Sequence, residues 1–328
     1  MKIGLGILCA VVWGTMSAAQ SSGTAEFKLA LPDHKGQIAW KAEGFQIVEN
    51  SAKPDGSEIG IRGRDAAGRI SFLGFLFKVP TNEPLTSAKC RDGAIEPEKQ
   101  NPAFKVSRMS EVARPDQIPV SVVDYNAPGE GGDLSYNVRG FVATGDLCGD
   151  LEFYSPDAIR SDDPALLKVF QSFQLDPTYV PEFRDTLFFA QVLYNSQQYA
   201  AAGPIFEKAL GQVKDAKGFD SKTWRRVITD QAGMSYGVAG DIKKSRAIFD
   251  AAIAKDPDYP LYYYNLACAD AEEKNLVDAR KHLQQAFDRK ANVVPGEKFP
   301  DPTQDDSFAP YKDNKEFWSF LEGLRARP

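Results

Sequence analysis

A pentapeptide in the second half of the chain resembles the nucleophile motif of serine hydrolases. Gly233, Ser235 and Gly237 match G-x-S-x-G, in which a serine hydroxyl attacks an acyl carbon. That chemistry needs the serine on a strained turn between a strand and a helix. The residues around the pentapeptide instead have helical spacing. The sequence therefore predicts that Ser235 is not catalytic, and it predicts no enzymatic activity.

The chain has only two histidines, so metal or acid–base chemistry has few candidate residues. Neither His34 nor His282 belongs to a His-x-x-x-His or Cys-x-x-Cys arrangement typical of zinc sites. We expect both to be solvated side chains. The carboxylate pairs Asp162-Asp163 and Asp305-Asp306 are expected at helix starts, where they interact favourably with the helix dipole. No metal ion and no cofactor is predicted.

Three cysteines remain outside the apolar N-terminal stretch that contains Cys9. In an oxidising compartment a disulfide between Cys90 and Cys148 is expected. Two buried free thiols are the alternative, because sequence spacing does not fix the geometry of the pair. Cys268 lies in a helical stretch and is expected to be a small core residue.

The N-terminus has the composition of a secretory signal. Met1-Lys2 gives a basic start, an apolar run extends from Ile3 to Met16, and Ser17-Ala18-Ala19 forms a small-x-small cleavage site. A retained membrane anchor is the alternative, but about 14 apolar positions are fewer than the roughly 20 that span a bilayer. We expect residues 1–19 to be removed, the mature chain to lack a transmembrane span, and the protein to be exported, periplasmic or secreted.

Length and charge limit the classes of partner. A chain of 328 residues exceeds the size at which one hydrophobic core keeps growing, so two domains are expected. The net charge is −6. Electrostatic binding to nucleic acid or to anionic lipid is therefore disfavoured.

Three segments of the second half align on small and bulky residues. The aligned sets are Ala190, Gly233 and Ala267, then Ala202, Ser245 and Ala279, then Phe206, Phe249 and Leu283, then Ala209, Ala252 and Ala286. The second and third segments are offset by 34 residues, the period of the tetratricopeptide repeat (TPR). The first interval is longer because Gly211 to Lys222 form an extended connector. Small residues at these positions allow two helix backbones to approach closely.

This pattern resembles the TPR family over residues 183–290. The resemblance implies three antiparallel helix pairs at 184–290, with a concave face that binds an extended peptide or a partner helix. The partner-binding residues that it implies are Arg184, Leu187, Gln191, Tyr194, Asn195, Asp230, Met234, Tyr264 and Asn265. The same face adds Val227, Val238, Leu261, Cys268 and Glu272. We expect a neutral or apolar ligand, with Tyr194 and Tyr264 exposed, since only Arg184 is basic. Packing of the repeats on the first domain is the alternative.

The first half reads as an antiparallel sheet with helices, giving an α+β domain at 24–176. The predicted strands are Phe27–Leu31, Gln37–Trp40, Phe45–Val48, Glu58–Arg62, Ile70–Phe77, Val120–Tyr125, Ser135–Val142, Leu151–Tyr154 and Phe173–Leu175. The run Ile70–Phe77 is apolar on both faces, as in a covered central strand. Helices are predicted at Ser87–Arg91 and from Asp163-Pro164, and Gly145-Asp146 is a candidate turn.

The order of these elements resembles the PsbP/Mog1-like sandwich, with Ala165–Leu175 as the final helix and strand. The resemblance implies a binding or assembly module and carries over no residue motif. A linker at 177–183 is expected to join this α+β domain to the all-α TPR-type domain. Residues 291–328 are expected to form a loop and an amphipathic helix, Asp313 to Arg325, that covers the open end of the repeats.

Two functions follow from this organisation. In the first, the protein is an exported scaffold that binds another protein or peptide on the concave face of the repeats. In the second, the sheet domain binds a small ligand or lipid and the repeats are scaffold. An apolar cavity lined by Phe72, Phe75 and Phe77 would favour the second function.

Overall fold

The computed structural model describes residues 24–114, 117–129, 132–216 and 221–326, so the predicted signal peptide lies outside the described residues. The described chain forms two compact units, divided between Ser196 and Gln197. An antiparallel sheet region is followed by helices, which confirms the predicted fold class. The predicted linker at 177–183 does not coincide with this division, because the helix Phe183–Asn195 lies between them.

The first unit contains ten strands and three helices in its described residues. The strands are β1 (Thr24–Ala30), β2 (Gln37–Glu43), β3 (Phe45–Ala52), β4 (Glu58–Asp65), β5 (Ser71–Lys78), β6 (Lys105–Val112), β7 (Val120–Pro128), β8 (Leu134–Thr144), β9 (Leu147–Ser155) and β10 (Gln174–Asp176). The helices are α1 (Ser87–Ile95), α2 (Pro164–Ser172) and α3 (Phe183–Asn195).

The strands form two antiparallel sheets. One has seven strands in the order β3-β4-β5-β9-β8-β7-β6, and the other has the order β1-β2-β10. The predicted turn Gly145-Asp146 joins β8 to β9, where Thr144 pairs with Leu147. Both edge strands of the larger sheet break register, β3 between Ile47 and Glu49 and β6 between Val106 and Arg108.

An aromatic core joins the small sheet to one face of the large sheet. The Trp40 ring lies 5.6 Å from the Phe72 ring, and a Cβ on Gly74 would come within 2.5 Å of the indole. Alternate side chains of a strand point to opposite faces, so Phe75 and Phe77 lie on the other face of β5. Phe72, Phe75 and Phe77 therefore do not line one cavity.

The opposite face of the large sheet is covered at one end by α1. The predicted disulfide between Cys90 of α1 and Cys148 of β9 is present, with Cα atoms 6.2 Å apart. Phe104, Val123 and Phe141 are buried beside it. The disulfide therefore fixes α1 over this part of the core. The resemblance to the PsbP/Mog1-like sandwich stays a prediction.

Six helices make up the described part of the second unit. They are α4 (Tyr199–Gln212), α5 (Ser221–Val238), α6 (Ile242–Lys255), α7 (Pro260–Glu272), α8 (Leu276–Phe287) and α9 (Lys315–Arg325). The predicted small residues lie where helices cross: a Cβ on Gly233 of α5 would come within 2.3 Å of the Phe249 ring of α6. The end helix α9 buries Phe317, Leu321 and Leu324, as predicted. None of the helices in the described residues is long and apolar enough to cross a lipid bilayer.

Candidate partner-binding face

The face of α7 that the repeat pattern assigns to ligand binding is covered by the chain itself. Residues 288–314, here called the connecting segment, run from α8 to α9 with only short 3₁₀ turns. Phe299 and Phe308 of this segment lie edge-on to the Tyr264 ring of α7, with ring centroids 5.9 and 6.1 Å apart. Phe299 also packs on Phe287 of α8 at 4.9 Å. These contacts form an aromatic cluster on the side of α5 and α7 that the repeat pattern assigns to ligand binding, here called the inner face.

Tyrosine hydroxyls hold the connecting segment at three points. Tyr259, immediately before α7, donates to both carboxylate oxygens of Glu297 at 2.9 and 2.8 Å. Tyr264 donates to Asp305 at 3.0 Å, and Tyr311 of the segment donates to the Ala271 carbonyl at 2.5 Å. Hydrogen bonds to charged groups are stronger than those between neutral groups, so the first two are the firmer attachments.

Arg226 of α5 fixes the start of the segment. Its Nε lies 2.6 Å from a carboxylate oxygen of Asp256, and its Nη1 donates to the Asn292 carbonyl at 3.2 Å. The guanidinium also lies over the Tyr259 ring, 5.1 Å from the centroid. The guanidinium lowers the pKa of Asp256 through their hydrogen bond. One arginine therefore links α5, the end of α6 and the connecting segment.

Asp230 on α5 and Glu297 of the connecting segment are acidic side chains that influence each other's surroundings. Asn265 of α7 donates to Asp230 of α5 at 2.6 Å. Burial raises the pKa of Asp230 well above its ordinary range, and the nearby Glu297 raises it further. Burial also raises the pKa of Glu297, against the opposing effects of Tyr259, Val294 and Arg226. The inner face is thus acidic where it meets an acidic segment.

Four of the predicted partner-binding residues belong to this face. Asp230, Tyr264 and Asn265 make the contacts described above, and Met234 packs against the same apolar cluster as Phe299. The other five, Arg184, Leu187, Gln191, Tyr194 and Asn195, lie on α3 in the first unit. The nine residues are therefore divided between the two units.

The expectation that both tyrosines are exposed is wrong. Tyr264 is 2% exposed, because Phe299 and Phe308 cover it. Tyr194 is 6% exposed and belongs to the extensively buried surface of α3. The sequence interpretation missed the connecting segment as an occupant of the face. The segment contains acidic and aromatic residues, but their spacing has no periodicity that would mark its position.

The residues first considered for chemistry have structural partners. Ser235 is buried in α5, and its hydroxyl donates to the Gln231 carbonyl at 2.7 Å, so the pentapeptide lies inside a helix as predicted. Both histidines were expected to be solvated; their side chains are 25% and 19% exposed, and each lies against a carboxylate. His34 pairs with Asp146 at 2.9 Å and His282 with Asp270 at 2.6 Å.

Three further sequence expectations concern Cys268, Asp305 and metal binding. Burial raises the pKa of the Cys268 thiol well above its ordinary range, which disfavours the reactive thiolate. Asp305, expected near a helix start, instead accepts from Tyr264. Within the described ranges, no group of three or more histidine, cysteine, aspartate or glutamate side chains is arranged to hold a metal ion.

Three solved structures are distantly similar to parts of this chain. No protein-family model and no curated protein matches the chain. The TPR domain of Sgt2 from Aspergillus fumigatus is 14% identical over 44% of this chain and 78% of that one, with a TM-score of 0.30. The type III secretion translocator chaperone SycD from Yersinia enterocolitica is 15% identical over 44% and 91%, also with a TM-score of 0.30. A protein from Bacteroides thetaiotaomicron VPI-5482 is 9% identical over 65% and 78%, with a TM-score of 0.32.

Proposed function

We propose that the protein is an exported interaction scaffold that holds a segment of a partner protein on the inner face of its helix pairs. The observation that supports this proposal is the non-helical connecting segment that α5 and α7 already hold. Tyr259, Tyr264 and Asn265 place polar groups on this face beside an apolar cluster. Aromatic side chains with a few placed hydrogen bonds are the usual means of binding an extended segment.

The sheet domain offers less support for the alternative, a small-ligand or lipid site. Phe72 is fully buried against Trp40, whereas Phe75 and Phe77 lie on the other face of β5. A cavity lined by all three was the feature that would have favoured ligand binding. We therefore retain the scaffold function as the single proposal.

Selection of random peptides on the purified protein tests this proposal. We expect enrichment of a short motif whose binding is weakened at least about tenfold in a Met234→Ala/Asn265→Ala variant, because both residues lie on the proposed face. Val277→Ala is the matched control, since Val277 lies on α8 and is 79% exposed. Circular dichroism and thermal unfolding confirm that each variant is folded. Absence of an enriched motif, or equal binding by all three proteins, would overturn the proposal.

A further inference from the structure

We infer that the inner face recognises a segment with a carboxyl or carboxamide side chain two residues before an aromatic residue, and that this segment binds by replacing residues 297–299 of the connecting segment. The inference rests on the proposed function and specifies the chemistry of the partner. Its basis is the set of contacts by which the connecting segment occupies this face.

The first subsite is formed by Tyr259. Its side chain is fully buried, and its hydroxyl donates to both carboxylate oxygens of Glu297. A buried tyrosine hydroxyl requires a hydrogen-bond partner, so a partner that displaces Glu297 must bring an acceptor to the same place. Carboxyl and carboxamide oxygens both meet that requirement.

The hydroxyl of Tyr259 also excludes a basic side chain at this position. A carboxamide oxygen can accept from Tyr259 just as a carboxylate oxygen does, whereas a lysine ammonium offers no acceptor. The first subsite therefore selects an acceptor, carboxyl or carboxamide.

The second subsite is aromatic. Phe299 lies edge-on to Tyr264 of α7 at 78° and to Phe287 of α8 at 83°. Such edge-to-face pairs add to the burial of apolar area, and an aliphatic side chain cannot reproduce them. Two helices thus build a place for one aromatic ring.

The spacing between the subsites is that of a non-helical chain. In an extended segment, residues i and i+2 point to the same side and residue i+1 to the other. Glu297 and Phe299 both face the helices, while Lys298 between them is exposed. A partner in the same conformation presents the pattern acceptor-x-aromatic.

Residues 297–299 of the connecting segment lie between more deeply buried positions, and Val294 before them is 4% exposed in the cluster with Tyr259. Phe308 is fully buried in the cluster with Phe317 of α9, and Pro302 is also buried. Glu297 and Phe299 are only partly buried. Gly296, just before them, has a positive φ of 91°, which glycine adopts without strain. Residues 297–299 can therefore be replaced while Val294, Pro302 and Phe308 keep the segment anchored on both sides.

Binding of a synthetic peptide with the sequence of residues 293–301 tests this inference. The receptor is the full chain with Glu297→Ala/Phe299→Ala, which empties both subsites, and fluorescence anisotropy measures affinity. We expect this variant to bind the peptide at least about tenfold more tightly than the unchanged chain, in which the subsites are filled. A Glu297→Ala chain serves as a second receptor if the double variant is unfolded by circular dichroism.

Substitutions in the peptide and in the receptor identify the chemistry. In the peptide, glutamine in place of Glu297 should still bind, because its amide oxygen accepts from Tyr259. Lysine in its place, or alanine in place of Phe299, should weaken binding about tenfold or more. In the receptor, Tyr259→Phe should also weaken binding, whereas Tyr263→Phe should not, because the Tyr263 hydroxyl donates to Pro257.

The possible outcomes separate the inference from the proposed function. Tighter binding of the lysine peptide, or no binding of any 293–301 peptide to a folded receptor, would overturn the inference. If randomly selected peptides of another pattern still bind the inner face, the proposed function survives this failure. If those peptides also fail to bind, both are wrong.

Discussion

At the scale of residues, Gly233 shows why a nucleophile-like motif occurs in a helix. A Cβ at this position would lie 2.3 Å from the Phe249 ring, so the absence of a side chain allows α5 and α6 to approach. Gly211 of α4 has no atom within 4 Å of the corresponding Cβ position. The two glycines thus differ in packing although both lie in helices.

Alanine at these two glycines should have opposite effects on stability. We expect Gly233→Ala to lower the free energy of unfolding by about 1–3 kcal/mol, since overpacking outweighs the gain in helix propensity. Gly211→Ala should leave it unchanged or raise it by up to about 1 kcal/mol. Urea unfolding measures the free energy of unfolding of both variants. Hydrogen exchange in α4, α5 and α6 reports each substitution at its own helix. Equal effects of the two substitutions would contradict this assignment of Gly233.

Asp230 predicts a pH dependence of the helical unit. Its pKa is raised above the ordinary 3.8, so the folded state binds the proton more tightly than the unfolded state does. The stability that the protonated carboxyl contributes is present below about pH 4 and is lost as the pH rises through the raised pKa. Asp230→Asn keeps an acceptor for Asn265 and removes the charge. The stability of the variant relative to the unchanged chain should therefore increase as the pH rises through the raised pKa of Asp230.

Urea midpoints at pH 4 and pH 8 test this dependence. The gain from Asp230→Asn should be larger at pH 8 than at pH 4, because the stabilising protonated form of Asp230 is lost as the pH rises through its raised pKa. Asp256 titrates in the opposite sense, because Arg226 lowers its pKa, but it is the same in both proteins. An equal gain at the two pH values would show that Asp230 is not responsible.

At the scale of elements, the disulfide attaches α1 to β9 across a loop of 58 residues. In the chain-entropy model, a loop of this length stabilises the fold by about 4 kcal/mol. We expect Cys90→Ser/Cys148→Ser to lose about that amount in the sheet unit while α5 to α8 keep their protection. Hydrogen exchange detected by mass spectrometry reports each element separately. Equal loss of protection in both units would contradict a local role for the disulfide.

The sequence predicted elements wherever side chains show a regular pattern. β5 was predicted because apolar residues cover both faces. α9 was predicted because its apolar residues have the spacing of an amphipathic helix; they are Phe317, Trp318, Phe320, Leu321 and Leu324. β6 was missed because almost all of its residues are exposed, so no alternating apolar pattern marks it. Edge strands are held by backbone pairing on one side, which leaves little trace in the side chains.

The candidate face was predicted in part for a similar reason. Repeat spacing placed Asp230, Tyr264 and Asn265 on inner helices, and these residues do lie together. Nothing periodic in residues 288–314 indicates that they return across α7. Their position depends on individual contacts, such as Tyr259 with Glu297, that become visible only in the folded chain.

At the scale of the whole molecule, export remains a prediction, since residues 1–23 lie outside the described structure. Expression with the natural N-terminus in a bacterial host should give a chain beginning at Gln20. Intact-mass analysis of the periplasmic and extracellular fractions measures the loss of residues 1–19. Replacing Ala19 by Arg is the control, because a large charged residue at the cleavage site should block processing. An unprocessed, cell-retained natural chain would contradict export.

The connecting segment joins two helices and is therefore anchored at both ends. In the proposed mechanism the connecting segment competes with partner segments for the inner face. Dilution does not weaken this competition, because the effective concentration of the segment is set by the length of chain between α8 and α9. The apparent dissociation constant of a partner then equals the intrinsic constant divided by the fraction of molecules with an open face. If about one molecule in a hundred is open, a partner with micromolar intrinsic affinity reaches half-saturation only near 0.1 mM. The segment would thus set a threshold concentration below which partners are ignored.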